Sequence, residues 1–131
     1  MTTKPLQRLL YVEDEPDIRA IARIALETVG GFEIKMCSSG QEAIDSAPAF
    51  IPDLILLDVM MPGLDGPSTL KALRALPEIK EIPVIFMTAK VQAHETAHYR
   101  ELGAVGVISK PFDPMMLAEN IRSIWIDMGK G

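Results

Sequence analysis

Cysteine, cationic charge and long apolar runs are all scarce in this 131-residue chain. Cys37 stands alone, so no intrachain disulfide can form and no cysteine cluster can hold zinc or an iron–sulfur centre. A reducing cytoplasm is the expected setting. Thirteen Lys and Arg face eighteen Asp and Glu, a net charge of −5 that repels a phosphate backbone or an anionic membrane surface. Direct nucleic-acid binding is disfavoured. The longest apolar runs, such as Leu54 to Leu57, are strand-sized and far short of the roughly 20 residues that span a bilayer, so no membrane insertion is expected. The start, MTTKPLQRLLYVEDE, turns acidic too soon for an export signal, and no linker or low-complexity segment interrupts the chain.

What is present suffices for a core: 48% hydrophobic and 24% charged residues, with a mean hydropathy of +0.19. The length fits one domain, residues 1–131, against a prior of roughly 100 to 200 residues per domain, with no room for a separate output domain. Residues 1–6 and 129–131 are expected to fray.

Short apolar runs alternate with helical periodicities. Leu9 to Val12 reads as a buried strand that stops at Glu13, Asp14 and Glu15. Pro16 suits a first helical turn, and Ile18, Ile21, Ala22, Ala25, Leu26 and Val29 mark one helix face up to Gly30 and Gly31. Phe32, Ile34 and Met36 alternate with polar neighbours as in a strand near a sheet edge, and Ser39 to Glu42 matches a capping box. Leu54 to Leu57 reads as a central strand ending at Asp58, followed by a helix from about Pro67 to Leu76. Pro83 to Met87 forms a fourth strand ending at Thr88, then a polar helix from about Val91 to Leu102. Val105 to Ile108 forms a fifth, ending near Lys110. Asp113 as N-cap and Pro114 at the first helical position open a last amphipathic helix carrying Met116, Leu117, Ile121, Ile124, Trp125 and Met128. Met36, Met87 and Met116 are expected in the core as gap-fillers.

Strictly alternating strands and helices predict an α/β class, a doubly wound (βα)5 flavodoxin-like three-layer sandwich with a parallel five-stranded sheet of order 2-1-3-4-5. Such sheets bind ligands beyond the carboxyl ends of their strands, where Glu13, Asp14, Asp58, Thr88 and Lys110 fall. Three converging carboxylates repel one another by as much as ~4 kcal/mol per close pair at an effective dielectric of about 20, so they call for a cation. An all-oxygen donor set favours Mg²⁺, and no EF-hand pattern is present. Carboxylate, divalent cation, ammonium and hydroxyl together suit phosphoryl transfer, with Asp58 as the candidate nucleophile.

YVEDEPD, PDLILLDVMMPGLDG, VIFMTA and ISKPF, in this order and spacing, resemble the receiver domain of two-component response regulators over nearly the whole chain. The resemblance implies that Asp58 is the phosphoacceptor, that Glu13, Asp14, Asp58 and the Met60 backbone carbonyl hold Mg²⁺, and that Lys110 pairs with the carboxylate or the acquired phosphoryl group. It implies that the Thr88 hydroxyl turns toward that group, that Lys110-Pro111 is cis, and that Met60 and Lys90 flank the phosphoryl group. The donor implied is a histidine kinase or histidine phosphotransfer protein, docking near Pro16, Ile18 and Ile21. Its output is binding of an unidentified downstream protein through the fourth helix, fifth strand and fifth helix, with a homodimer on phosphorylation also within the family's range. Such a chain is no enzyme beyond its own phosphorylation and dephosphorylation. One departure stands out: the family's aromatic switch residue falls on Val107, so the signal is expected to pass through Thr88 and the loop and helix after the fourth strand.

Other readings compete. An aspartyl-nucleophile phosphatase of the haloacid dehalogenase type would need an Asp where Met60 stands. A phosphorylation-independent binding module would share the fold without the chemistry. The chain is, thirdly, readable as a receiver excised from a longer regulator, although its start at Met1 argues for a whole chain. HETAH, His94 to His98, matches the HExxH zinc-protease pattern, with Glu119 as a conceivable third ligand, but a solvated helix face is the default for both histidines.

Overall fold

The computed structural model describes residues 4–130. Among the described residues five strands alternate with helices: β1 (Arg8–Val12), α1 (Pro16–Arg23) running on into a π-helical segment (Ile24–Val29), β2 (Glu33–Cys37), α2 (Gly40–Phe50), β3 (Leu54–Asp58), α3 (Gly66–Arg74), β4 (Val84–Thr88), α4 (Ala93–Glu101), β5 (Gly106–Ser109) and α5 (Leu117–Lys130). The sheet is parallel, in the expected order β2-β1-β3-β4-β5.

Side-chain alternation along the strands sorts the core into two layers. Leu9, Tyr11, Leu54, Leu56, Ile85, Met87 and Ile108 pack with residues of α1, the π segment and α5. Leu10, Val12, Ile55, Leu57, Val84 and Phe86 pack with residues of α2, α3 and α4. The central strands β3 and β4 are buried at every position, whereas β2, at the edge, has only Cys37 fully buried.

Several helix boundaries differ from expectation for local reasons. The π segment closes with Gly30 N–H donating to Ala25 five residues back, which widens the turn and shifts the buried stripe. Ala22, Ala25 and Leu26 face inward while Ile21 (45% exposed) and Val29 (49%) point out. At the α2 cap, Ser39 accepts from Glu42 N–H at 3.1 Å, but the Glu42 carboxylate bonds Ser38 rather than Ser39. Asp113 does not cap α5: its side chain accepts from Met115 N–H at 2.9 Å and its carbonyl from Met116, forming a turn before the helix starts at Leu117. Met116, expected in the core, rides on that turn and is exposed, and Met36 is only half-buried.

The ends are also better anchored than expected. Leu6 packs on the core, Lys4 pairs with Asp53 at 2.8 Å, and α5 continues through Gly129. Of the residues expected to fray, Met1–Thr3 and Gly131 lie outside the described residues.

Gly66 ties the fold to the strand ends. Its N–H donates to Val59 at 2.8 Å, and Asp65 caps α3 by accepting from Ser68 N–H, drawing the helix start against β3. A Cβ on Gly66 would lie 2.5 Å from the Asp58 carbonyl oxygen and 2.8 Å from Val59 Cα, both backbone atoms. Gly66→Ala is therefore expected to cost about 1–3 kcal/mol, read as a lower urea midpoint with an unchanged slope.

At the opposite pole, buried Asp53 accepts from Lys4 and from the backbone N–H groups of Gln7 and Arg8. Burial alone would raise its pKa, but these donors hold the carboxyl below its ordinary value. Its stabilisation is present above the unfolded carboxyl's pKa of about 3.9 and is lost as pH falls through the depressed folded value. Asp53→Asn is expected to lack that loss, seen as a smaller drop in urea midpoint between about pH 6 and about pH 3.

Candidate functional site

Parallel register brings the strand ends to one edge of the sheet. Tyr11 pairs with Leu56 and Met87 with Ile108, so Glu13, Asp58 and Lys110, each two residues further, continue the same face. Backbone bonds extend the ladders past the strands: Glu13 N–H donates to Cys37, Val59 to Met87, and Lys110 to Thr88. The Lys110-Pro111 bond is cis, as expected.

Glu13 (0% exposed) and Asp58 (3%) are buried, and Asp14 is half-buried. Each of the three offers a carboxylate oxygen within 4.8 Å of the others. Lys110 Nζ lies 2.8 Å from Glu13 Oε1 and 3.2 Å from Asp58 Oδ1. Three carboxylates face one ammonium, so the cluster is negatively charged even with one carboxyl protonated.

The electrostatic consequences follow from burial and charge. Burial, and then the Glu13 charge, push the Asp58 carboxyl up to about 7 against the opposing pull of Lys110. For Lys110, burial acts downward, but its bond to Glu13 and the two carboxylate charges leave its pKa raised. Tyr11 lies one layer beneath, pushed upward by burial and then by Glu13 and Asp58; among the described residues its hydroxyl is the one buried side-chain polar atom without a hydrogen-bond partner.

A cleft of about 210 Å³ opens onto Asp58, lined by Glu15, Met60, Thr88, Ala89, Lys90 and Lys110. Met60 stands at its rim with an exposed side chain. Thr88 is buried, its Oγ1 accepting from Lys90 N–H at 3.1 Å. Two supporting contacts escaped sequence reasoning: Arg19 Nη1 donates to the Glu13 carbonyl at 2.8 Å, and Glu15 N–H donates to Glu13 Oε2 at 3.2 Å. Arg19 lies one turn into α1, and nothing in its helical spacing separates it from an ordinary surface arginine.

The HETAH residues lie elsewhere. His94 and His98 are exposed on α4, and Glu95 is taken up at the helix start, accepting from Gln92 N–H at 3.2 Å. Among the described residues the metal-capable group of three is the acidic one, without His94, His98 or Glu119.

Fold and cleft together define a class: doubly wound α/β domains that gather acidic side chains and a lysine at the carboxyl edge of a parallel sheet. The model of the response regulator receiver domain matches residues 9–122, and the chain belongs to that family. It is 34% identical over 116 residues to response regulator Rre1 of Synechocystis sp., covering 88% of this chain and 50% of that protein. It is 36% identical over 116 residues to the transcriptional regulatory protein CseB of Streptomyces coelicolor, covering 88% of this chain and 48% of that protein. The chain thus spans about half the length of these curated relatives. Among solved structures it resembles chemotaxis protein CheY4 of Vibrio cholerae, with a TM-score of 0.83 and 28% identity over 92% of this chain and 99% of that one. It also resembles the N-terminal domain of a response regulator receiver protein from Methanoculleus marisnigri, with a TM-score of 0.73 and 34% identity over 91% and 96%. Among the described residues no helix is long and apolar enough to cross a membrane.

Because the fold penalises ionised Asp58, Asp58→Asn is expected to stabilise chelator-treated protein. The melting temperature should rise by about 3–5 °C for each kcal/mol of repulsion relieved. The penalty is absent below a free carboxyl's pKa of about 3.9 and complete only above the raised value, so the advantage should vanish near pH 4. Thermal melts of both proteins at the two pH extremes test this.

Proposed function

We propose that this receiver accepts a phosphoryl group on Asp58 from a phosphohistidine of a histidine kinase or histidine phosphotransfer protein, and so changes a surface that a downstream protein reads. The observation that carries the reading is the meeting of Asp58, Glu13, Asp14 and Lys110 beside an opening to solvent. In the transfer an Asp58 carboxylate oxygen attacks phosphorus, the phosphorus–nitrogen bond breaks, and the donor imidazole leaves. An aspartyl phosphate results.

The all-oxygen donor set and its net negative charge fit Mg²⁺, with Glu13, Asp14, Asp58 and the Met60 carbonyl as its holders. When bound, the ion supplies charge neutralisation for the transferring phosphoryl group. Lys110, already within hydrogen-bond reach of Asp58, adds a fixed positive charge on the same side. Thr88 would exchange its bond from Lys90 N–H for one to the phosphoryl oxygen, moving the loop that leads to α4. Val107 offers no ring to follow it; the aromatic packed on this face is Tyr99 of α4, 5.3 Å from Phe86 between ring centroids.

The chemistry is confined to the chain's own aspartate, so its role is signalling rather than metabolite turnover, in the cytoplasm where kinase domains and their phosphodonors reside. Pro16 and Ile21 are exposed on α1 next to the acidic cluster, which suits donor docking there. The α4–β5–α5 face is the proposed readout, whether by another protein or by a second copy after phosphorylation. Relatives about twice as long include a transcriptional regulatory protein, so an attached or separate output partner is in keeping with the reading.

Intact mass spectrometry tests it. With Mg²⁺ and a small-molecule phosphodonor, wild type is expected to gain one phosphoryl adduct, while Asp58→Asn and chelator-treated wild type gain none. Failure of metal-replete wild type to form any adduct would favour the phosphorylation-independent binding module.

A further inference from the structure

The HETAH segment is unused by the acidic site, yet its two imidazoles stand four residues apart on one face of α4 and both are exposed. Helix positions i and i+4 hold their Cβ atoms about 6 Å apart, close enough for two imidazoles to share one ion. Glu95, which a hydrolytic reading would need as a free base, is held in the capping box with Gln92. The pair is therefore suited to binding without hydrolysis.

We propose that His94 and His98 form a second metal site, for a zinc-class divalent ion, and that the ion acts as a staple on α4. Imidazole nitrogen suits Zn²⁺, Ni²⁺ and Cu²⁺, whereas carboxylates and water suit Mg²⁺, so the two sites differ in the ions they prefer. Two protein ligands leave the remaining positions to water, making this an open and exchangeable site rather than a closed structural one. His98 lies in the last turn, where the helix dipole favours positive charge, and exposed Glu101 follows it one turn on.

The staple matters because α4 is held to the domain so sparsely. Of its nine residues only Tyr99 is buried, so little apolar area opposes local opening. The His98 ring lies 6.1 Å from the Tyr99 ring between centroids, which puts the site next to that anchor. An ion bridging the turn from His94 to His98 binds the helical form and not the open one. At a free concentration ten times its dissociation constant it lowers the open population about tenfold.

The test uses the full chain with Mg²⁺ in excess to occupy the acidic cluster, and Zn²⁺ added in a calorimetric titration alongside hydrogen exchange of the α4 amides. Expected are one Zn²⁺ site, exchange in residues 93–101 slowed about tenfold near saturation, and affinity lowered at least about tenfold by His94→Ala or His98→Ala. Asp14→Ala should bind Zn²⁺ at α4 as wild type does. Circular dichroism of each variant verifies that its helix content is retained. An isotherm unchanged in the His94→Ala, His98→Ala double variant would overturn the proposal by locating the ion elsewhere. Binding that leaves α4 exchange unaltered would overturn it too, as an adventitious ion only.

Discussion

The constraint on which this structure turns is the burial of like charge. Glu13 and Asp58 sit at the ends of largely buried strands, where little water reaches to screen them except through the cleft at Asp58, and Asp14 joins them within 4.8 Å. Such an arrangement is costly in isolation. It persists because other parts of the fold are committed to it: Lys110 arrives from β5 with its ammonium in contact with both buried carboxylates, Arg19 binds the Glu13 carbonyl, and the Glu15 N–H binds its side chain. A sheet of parallel strands is what allows three segments distant in sequence to deliver these groups to one edge.

The same constraint explains why residues with no chemistry of their own are restricted. Gly66 must lack a side chain because α3 starts against the backbone of Asp58 and Val59, which in turn sets the course of the loop carrying Met60. The two hydrophobic layers keep the strands in register, and a slip of one residue would send Asp58 to the opposite face of the sheet. Packing is thus part of the site's electrostatics: it decides which charges meet.

Strand positions, and the residues that meet at their carboxyl ends, were legible in the sequence because both leave discrete signals, whereas the strand order followed from the few topologies open to five such strands. A four-residue apolar run that stops at a carboxylate marks a strand and its functional end together, as at Val12–Glu13 and Leu57–Asp58. Helix details were less legible because their signals are graded or nonlocal. Val29 fits an ideal helical stripe, but the π segment Ile24–Val29 changes the period beneath it. Asp113-Pro114 has the composition of a helix start, yet the Asp113 side chain is satisfied by a turn, leaving Met116 outside the core. Arg19 acts on a backbone carbonyl, a contact that no side-chain pattern announces.

At position 107 the fifth strand carries a valine rather than an aromatic residue. Val107 is half-buried and packs against the layer that contains Phe86 and Tyr99, so aromatic bulk on this face is supplied by α4 rather than by β5. Phe86 lies two residues before Thr88 on β4, with its side chain on the same face. The strand whose end carries the threonine therefore also carries the ring against which α4 is anchored, and Tyr99 is the only residue of that helix buried there. A helix fastened by one side chain has few contacts to break when the preceding loop moves, whereas a helix with a full apolar stripe would resist. The absence of a ring at position 107 and the sparse burial of α4 are consistent with each other: both make the segment from Thr88 to Tyr99 the link from the cleft to α4, through which the proposed switching would pass.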